Sequence, residues 1–371
     1  MAGFFSQVAQ NVWQHTSSLT NKNYQEATRR IKEAQKNQAH ELSLSGLMLT
    51  RVPKEVARLT HLLTLELSDN RLTTLPSSLG QLTRLQSLDL SNNRLSTLPP
   101  ELGQLPELLF LNLDENEFSR LPRSICRLPK LLGLDVNKNQ LTSLPPEIGQ
   151  LTSLQRLSVR HNQLDELAPE IGQLANLRSL DLDYNQLTQL PPEITRLTGL
   201  QRLYLLYNQL RQFPPQIGQL ISLKALDLSI NRLSKLPAEI GRLRQLHTLD
   251  LTGNGLQTLP CSIGQLANLR TLHLSGNPLG TLLPEIGQLT GLKKLYLSRT
   301  QLQTLPIEMA NLTELEWLDL MDNEFEGVPE DILLGTPTKM IEYLLARQEE
   351  LKEVRPKHEI EFKHSALLTP A

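Results

Sequence analysis

Cysteine is nearly missing: Cys126 and Cys261 are the two thiols in 371 residues. Counted along the repeat described below they stand roughly 29 Å apart, beyond disulfide reach. So few thiols point to a reducing compartment, and the cytoplasm is the expectation. Aromatic residues make up 4 % of the chain, and 37 basic residues against 39 acidic ones leave a net charge of −2. That balance is not the footprint of a nucleic-acid binder. No run of 18 apolar residues is present, so no membrane span is expected. The first positive side chain is Lys22, which argues against a signal or transit peptide. No G-x-x-x-x-G-K-[ST] loop, kinase signature or zinc-spaced Cys/His set occurs, so neither cofactor nor metal is expected.

What the chain does have is a period. Asparagine returns every 23 residues at Asn70, Asn93, Asn116, Asn139, Asn162, Asn185, Asn208, Asn231, Asn254 and Asn277. Thr300 stands in once, Asn323 ends the series, and Leu47 holds the same frame one step before its start. That makes thirteen turns in one register, and a fixed period sets the fold before any local reading does. One turn reads L-x-x-L-x-L-x-x-N-x-L-x-x-L-P-x-x-I-G-x-L-x-x. The copy starting at Leu85 fills it with Leu88, Leu90, Asn93, Leu95, Leu98, Pro99, Leu102, Gly103 and Leu105. The L-x-L step has period two and makes a short strand with both leucines facing in. The later leucines come at three- and four-residue steps broken by Pro, which suits extended or 3₁₀ backbone. A stacked asparagine amide can satisfy the backbone groups that a bend leaves unpaired. Thr300 can do part of this and Leu47 none, so looser packing is expected at both.

These motifs resemble the leucine-rich repeat superfamily over about four-fifths of the chain. The L-P-x-x-I-G-x-L half looks like the intracellular group: Ras-interacting scaffolds, plant Ras-group proteins and Roco GTPases. The helix from Ala27 to Gln38 leading into Glu41-Leu42-Ser43-Leu44-Ser45, and the end segment Pro329 to Leu344, look most like bacterial Roco-type and free-standing bacterial repeat proteins. The resemblance implies an α/β solenoid, a right-handed horseshoe with a parallel sheet on its concave side and helical caps at both ends. Extracellular members usually carry cysteine-rich caps, and this chain has none. Ala168 and Leu283 replace the expected Pro, each with a Pro one place later, and are expected to shift the backbone locally.

The flanks divide as follows. Residues 1–22 carry Phe4, Phe5, Val8, Val12 and Trp13, either an amphipathic docking stripe or a frayed terminus. Residues 23–39 read as an N-terminal cap helix, with Asn23 as N-cap and Glu26 at capping-box spacing. The array covers 40–330. Residues 331–352 read as a C-terminal cap helix entered through Thr336-Pro337, with Met340, Ile341, Leu344 and Leu345 as its apolar face. From 353 to 371 the composition reads as a disordered tail.

With the asparagine as ruler, the outward positions are six, four, two and one before it and one after. Acids recur in the column four before: Asp89, Asp135, Asp181, Asp227, Asp250 and Asp319. They read as a solvated framework, or as a strip for a basic partner. Four of the six tyrosines fall in the outward columns: Tyr184, Tyr204, Tyr207 and Tyr296. Around three of them gather Arg156, Arg160, His161, Arg202, Leu206 and Ile230, and Tyr and Arg are the types enriched in interface hot spots. This is the candidate partner-binding set, flanked by Asp135, Asp181, Asp183 and Asp227. A secondary set is His273, Lys294, Tyr296, Arg299, Trp317 and Met321, where Trp317 could instead lie under the C-terminal cap. Ser158, His161 and Asp183 could be near neighbours, but exposed strands often look so, and no catalytic residue is assigned.

The reading is a non-catalytic protein–protein interaction scaffold that binds a protein or peptide on its concave face, without nucleic acid. The resemblance places it in small-GTPase or kinase signalling. Two alternatives stay open: the recognition module of a Roco-type GTPase lacking its catalytic domain, and a bacterial effector or immune-type sensor.

Overall fold

The computed structural model describes residues 22–350. The segment expected at 1–22 (Lys22 apart) and the tail expected at 353–371 lie outside the described residues. Each period contributes one three-residue strand. They are β1 (Glu41–Ser43), β2 (Thr64–Glu66), β3 (Ser87–Asp89), β4 (Phe110–Asn112), β5 (Gly133–Asp135), β6 (Arg156–Ser158), β7 (Ser179–Asp181), β8 (Arg202–Tyr204), β9 (Ala225–Asp227), β10 (Thr248–Asp250), β11 (Thr271–His273), β12 (Lys294–Tyr296) and β13 (Trp317–Asp319). The chain divides into two compact units, residues 1–203 and 204–371. In the first unit β1 to β7 pair in parallel, each strand beside the next, with Leu42, Leu65, Leu88, Leu111, Leu134, Leu157 and Leu180 in register. In the second, β9 to β13 pair the same way through Leu226, Leu249, Leu272, Leu295 and Leu318.

Period-two alternation decides which side chains are buried. Leu65, Leu134, Leu157 and Leu180 are all 0 % exposed; their outward neighbours include exposed Glu66 and Arg156, with Gly133, Ser158 and Ser179 small enough to be covered by adjacent turns. The leucine–proline half of each turn folds as a five-residue 3₁₀ segment such as Pro146–Gln150. Proline suits its start, because φ is already set and no amide hydrogen is lost there. The shift expected at Ala168 and Leu283 does not occur. Their φ/ψ of −62/138 and −72/145 match −63/138 at Pro99. The following Pro169 and Pro284 hold them in extended backbone, since a residue before proline is driven out of the helical region.

Successive 3₁₀ segments stack closely. A Cβ on Gly103 would stand 2.1 Å from the Ser124 carbonyl oxygen. The same register holds Cys126 and Thr195, both buried, so Cys126 occupies a small-residue packing position.

The asparagines tie turn to turn. Asn93 is 8 % exposed. Its Oδ1 accepts from the Leu72 N–H at 3.0 Å, and its Nδ2 donates to the Leu67 and Leu90 carbonyls at 2.9 and 3.0 Å. At the interruption, Thr300 is fully buried. Its N–H and Oγ1 both donate to Asn323 Oδ1, at 3.0 and 2.9 Å. One turn earlier the backbone changes course: the Leu279 N–H goes to the Asn277 carbonyl at 2.8 Å, and Gly280 takes φ 65°. A hollow of about 580 Å³ lined by Gly280, Thr281, Gln301 and Asp322 opens beside this irregularity.

At the start, helix α1 covers residues 22–36 and buries Ala27, Ile31 and Ala34. The expected capping box is not formed. Asn23 lies within the helix, and Glu26 bonds Arg29 and Arg30 at 2.8 and 2.9 Å, because charge-assisted bonds to guanidinium are stronger than a bond to an amide. At the other end the helix entered through Thr336-Pro337 is α3 over 337–350, and a short α2 (Glu330–Leu333) that was not expected precedes it. Gly335 and Thr336 lie between them, and Thr336 Oγ1 accepts the Lys339 N–H at 3.4 Å. Met340 and Leu344 are buried, whereas Leu345 is 44 % exposed and lies off the packed face.

Candidate functional site

The residue before each asparagine sits in left-handed backbone. Asp69, Asn92, Glu115, Lys138, His161, Tyr184, Tyr207, Ile230, Gly253, Gly276, Arg299 and Asp322 have φ between 51° and 69°. The bend into the asparagine imposes this on whatever occupies the position. Gly, Asn and Asp tolerate it well, other residues less so, and for a β-branched residue it is a true outlier. Five members of the two sequence-derived sets, His161, Tyr184, Tyr207, Ile230 and Arg299, therefore stand on strained backbone.

The first unit holds Arg156, Arg160, His161, Tyr184 and Arg202. The His161 and Tyr184 rings stack with centroids 4.2 Å apart and 9° between planes. Burial, then the Arg160 and Lys138 charges, hold His161 below its ordinary pKa, which favours the neutral ring. Arg156 pairs with Asp135 at 3.2 Å, and Arg160 reaches both Asp181 and Asp183 at 3.6 Å. Arg202 is exposed. Its Nε donates to Ser179 Oγ at 3.5 Å, and among the described residues no carboxylate pairs with it.

The second unit holds Tyr204, Leu206, Tyr207 and Ile230. Tyr207 is 55 % and Ile230 46 % exposed, large apolar surfaces for a strand face. The secondary set lies wholly in this unit. His273 stacks on Tyr296 at 4.1 Å with 5° between planes, and Trp317 follows at 6.5 Å. Arg299 is tied to Asp322 at 2.9 Å. Trp317 is 54 % and Met321 68 % exposed, so Trp317 is not covered by α2 or α3.

The recurring acids have a backbone duty. Asp89 Oδ1 accepts the Ser91 N–H at 2.9 Å, Asp227 that of Ser229 at 2.9 Å, and Asp250 that of Thr252 at 2.9 Å. Asp135 is the exception, since the Asn137 N–H turns to Asp114 at 2.6 Å. Burial pushes the Asp135 carboxyl up, Arg156 draws it down, and Asp114 and Asp181 push it up again. The Ser158–His161–Asp183 trio does not assemble as a relay. Ser158 Oγ donates to Asn137 Oδ1 at 2.7 Å, and among the described residues no bond joins Ser158 to His161.

A family model described as "Leucine-rich repeat region" matches residues 84–185 and 215–284, and one described as "Leucine rich repeat" matches 37–95 and 175–233. The chain is 44 % identical to a solved leucine-rich repeat protein of Leptospira interrogans, with a TM-score of 0.73, covering 75 % of this chain and 71 % of that one. The chain belongs to the leucine-rich repeat family. This leucine-rich repeat protein is also similar to the plant peptide hormone receptor RGFR1, solved in complex with RGF2 (29 % identity, TM-score 0.54, covering 74 % and 53 %). It is similar too to TLR13, solved with ssRNA13 (27 % identity, TM-score 0.68, covering 78 % and 44 %). It thus spans about half the length of these two receptor chains. No curated protein matches it.

Some outward residues of the leucine-rich repeat protein escaped the sequence reading. Phe110 is 52 % exposed and lies over Gly133, where a Cβ would come within 2.9 Å of its ring. The signal was the cross-strand pairing of a bulky residue with glycine. Arg178 and Arg270 donate to the carbonyls of Gly199 and Gly291 in the next turn, at 2.9 and 2.6 Å. In both cases N-L-R is followed one turn later by L-T-G-L, a signal visible in the sequence. Among the described residues no group of three or more His, Cys, Asp or Glu could hold a metal ion, and no described helix is long and apolar enough to cross a membrane.

Proposed function

We propose that this protein is a non-catalytic cytoplasmic recognition module that binds a protein or peptide on the exposed face of its strands. The observation that carries the reading is the left-handed column. His161 and Tyr184 in the first unit, and Tyr207 and Ile230 in the second, hold φ of 52°, 55°, 55° and 51°. Glycine would relieve strain of about 1–2 kcal/mol at each; Glu115 and Lys138 share the φ, and these four stand apart by their bulk, with His161, Tyr207 and Ile230 exposed and Tyr184 half-buried. Arg202, exposed at the start of β8, supplies a cation for an acidic side chain of the partner.

A protein or peptide fits better than nucleic acid, because Asp135, Asp181 and Asp183 interleave with the arginines and would oppose phosphate. Two free thiols, one of them exposed, support a reducing compartment. The small-GTPase or kinase setting rests on the resemblance of the L-P-x-x-I-G-x-L half to the intracellular group. The test is affinity capture from native lysate with wild type beside Tyr184→Asn/Arg202→Glu, both checked for equal folding. Loss of the captured proteins in the variant is expected, and equal capture by both would remove the first-unit surface as the site.

A further inference from the structure

The two outermost strands end differently. At β1, the edge facing α1 is closed: Arg30 donates to the Ser43 carbonyl at 3.1 Å, and α1 buries Ile31 beside it. At β13, only β12 pairs, and no described strand lies on the other side. In the preceding turn, the Lys293 carbonyl accepts the Glu316 and Trp317 N–H groups, and the Leu297 and Arg299 N–H groups donate to Asp319 and Met321. The counterparts one period on are the Glu316 carbonyl and the Leu320 and Asp322 N–H groups. Among the described residues none of them has an equivalent partner. This is a row of backbone donors and acceptors at strand spacing, ready to pair with an extended chain.

The surroundings specify the occupant. From Thr300 to Thr338 the chain has nine acids and no Lys, Arg or His. Glu314, Glu316 and Asp322 are offset by Arg270, Lys293 and Arg299 of earlier turns. Among the described residues the other six, including Asp319 and Glu324, have no ion pair. Trp317 and Met321 flank the edge, 54 % and 68 % exposed, and an indole face attracts a Lys or Arg head group. The acids of a second copy would repel, so edge-to-edge pairing of two such chains is disfavoured.

We propose that the free edge of β13 takes up an extended basic peptide segment of a partner protein as an added strand. Main-chain pairing would give affinity, and Trp317 with the acids would select alternating basic and apolar side chains. Neither Tyr184 nor Arg202 is among its residues, so Tyr184→Asn/Arg202→Glu leaves it intact.

The probe is a blocked six-residue peptide alternating lysine and valine, added to the full chain and followed by fluorescence, Trp317 being one of two tryptophans. Binding is expected, weakened at least about tenfold by N-methylation of alternate residues on the pairing side. Trp317→Ala is expected to weaken it roughly fivefold while circular dichroism stays unchanged. Equal binding by the N-methylated peptide, or by a glutamate–valine peptide, would overturn the proposal. So would absence of binding at millimolar peptide. Protection of the Leu320 amide from hydrogen exchange without peptide would also overturn it, since the edge would then be filled by this chain or a second copy.

Discussion

At the scale of single residues, the outward columns separate side chains that serve the backbone from side chains that do not. Asp89, Asp227 and Asp250 each accept a backbone N–H two residues on, which accounts for their recurrence without a ligand. Asp135 lacks that bond and is held above its ordinary pKa of 3.8, chiefly by burial. A carboxyl raised in the fold favours its neutral form. Its contribution is fully present below 3.8 and is lost as pH rises through the raised value. Asp135→Asn is therefore expected to raise Tm at pH 7 and flatten the Tm–pH profile above about pH 4, since the partly exposed pair with Arg156 contributes little. A Tm at pH 7 below wild type would contradict this. Glu26 behaves oppositely: bonds from Arg29 and Arg30 lower its pKa from 4.5 to about 2, so its contribution is lost only as pH falls toward that value.

At the scale of the turn, one amide and one small side chain recur. Asn162 accepts the Leu141 N–H and donates to the Val136 and Val159 carbonyls, at 2.9, 2.9 and 3.2 Å. Asn162→Ala leaves these buried groups without partners and is expected to cost about 3 kcal/mol, read from the urea midpoint. A loss below about 0.5 kcal/mol would mean that water replaces the amide. Cys126 fills the close-packed 3₁₀ position, and burial pushes its thiol up to about 12. A thiol reagent is expected to titrate one cysteine, Cys261, in the native chain and two after denaturation; rapid labelling of both in the native chain would contradict that packing. The period, the strands and the buried leucines were legible in the sequence because the register of 23 holds throughout, even where Thr300 replaces Asn and Val136 and Val159 replace Leu. The start of α3 at Thr336-Pro337 was legible too; the short α2 before it was not, because the four residues Glu330–Leu333 are too few to show a period. The left-handed column was only half visible: Asp69, Asn92, Gly253 and Gly276 carry its usual residues, and Glu115, Lys138, His161, Tyr184, Tyr207, Ile230 and Arg299 mask it.

At the scale of the whole molecule, the uniform framework makes departures from it informative. Net charge of −2 conceals an acidic end, and a composition poor in aromatics conceals their concentration on the outward columns. The candidate surfaces were legible in residue type once the asparagines served as ruler. The strain beneath them was not, since φ belongs to the bend and leaves no mark on the residue that fills it. If Tyr184 and Ile230 are kept for recognition, removing them should help the fold and harm binding. The most direct measurement compares wild type with Tyr184→Asn and Ile230→Asn by urea unfolding and by affinity for the captured partner. The expected result is a gain of about 1 kcal/mol in stability for each variant, with affinity lowered at least about tenfold. Variants that lose stability while binding the partner as tightly as wild type would contradict the account.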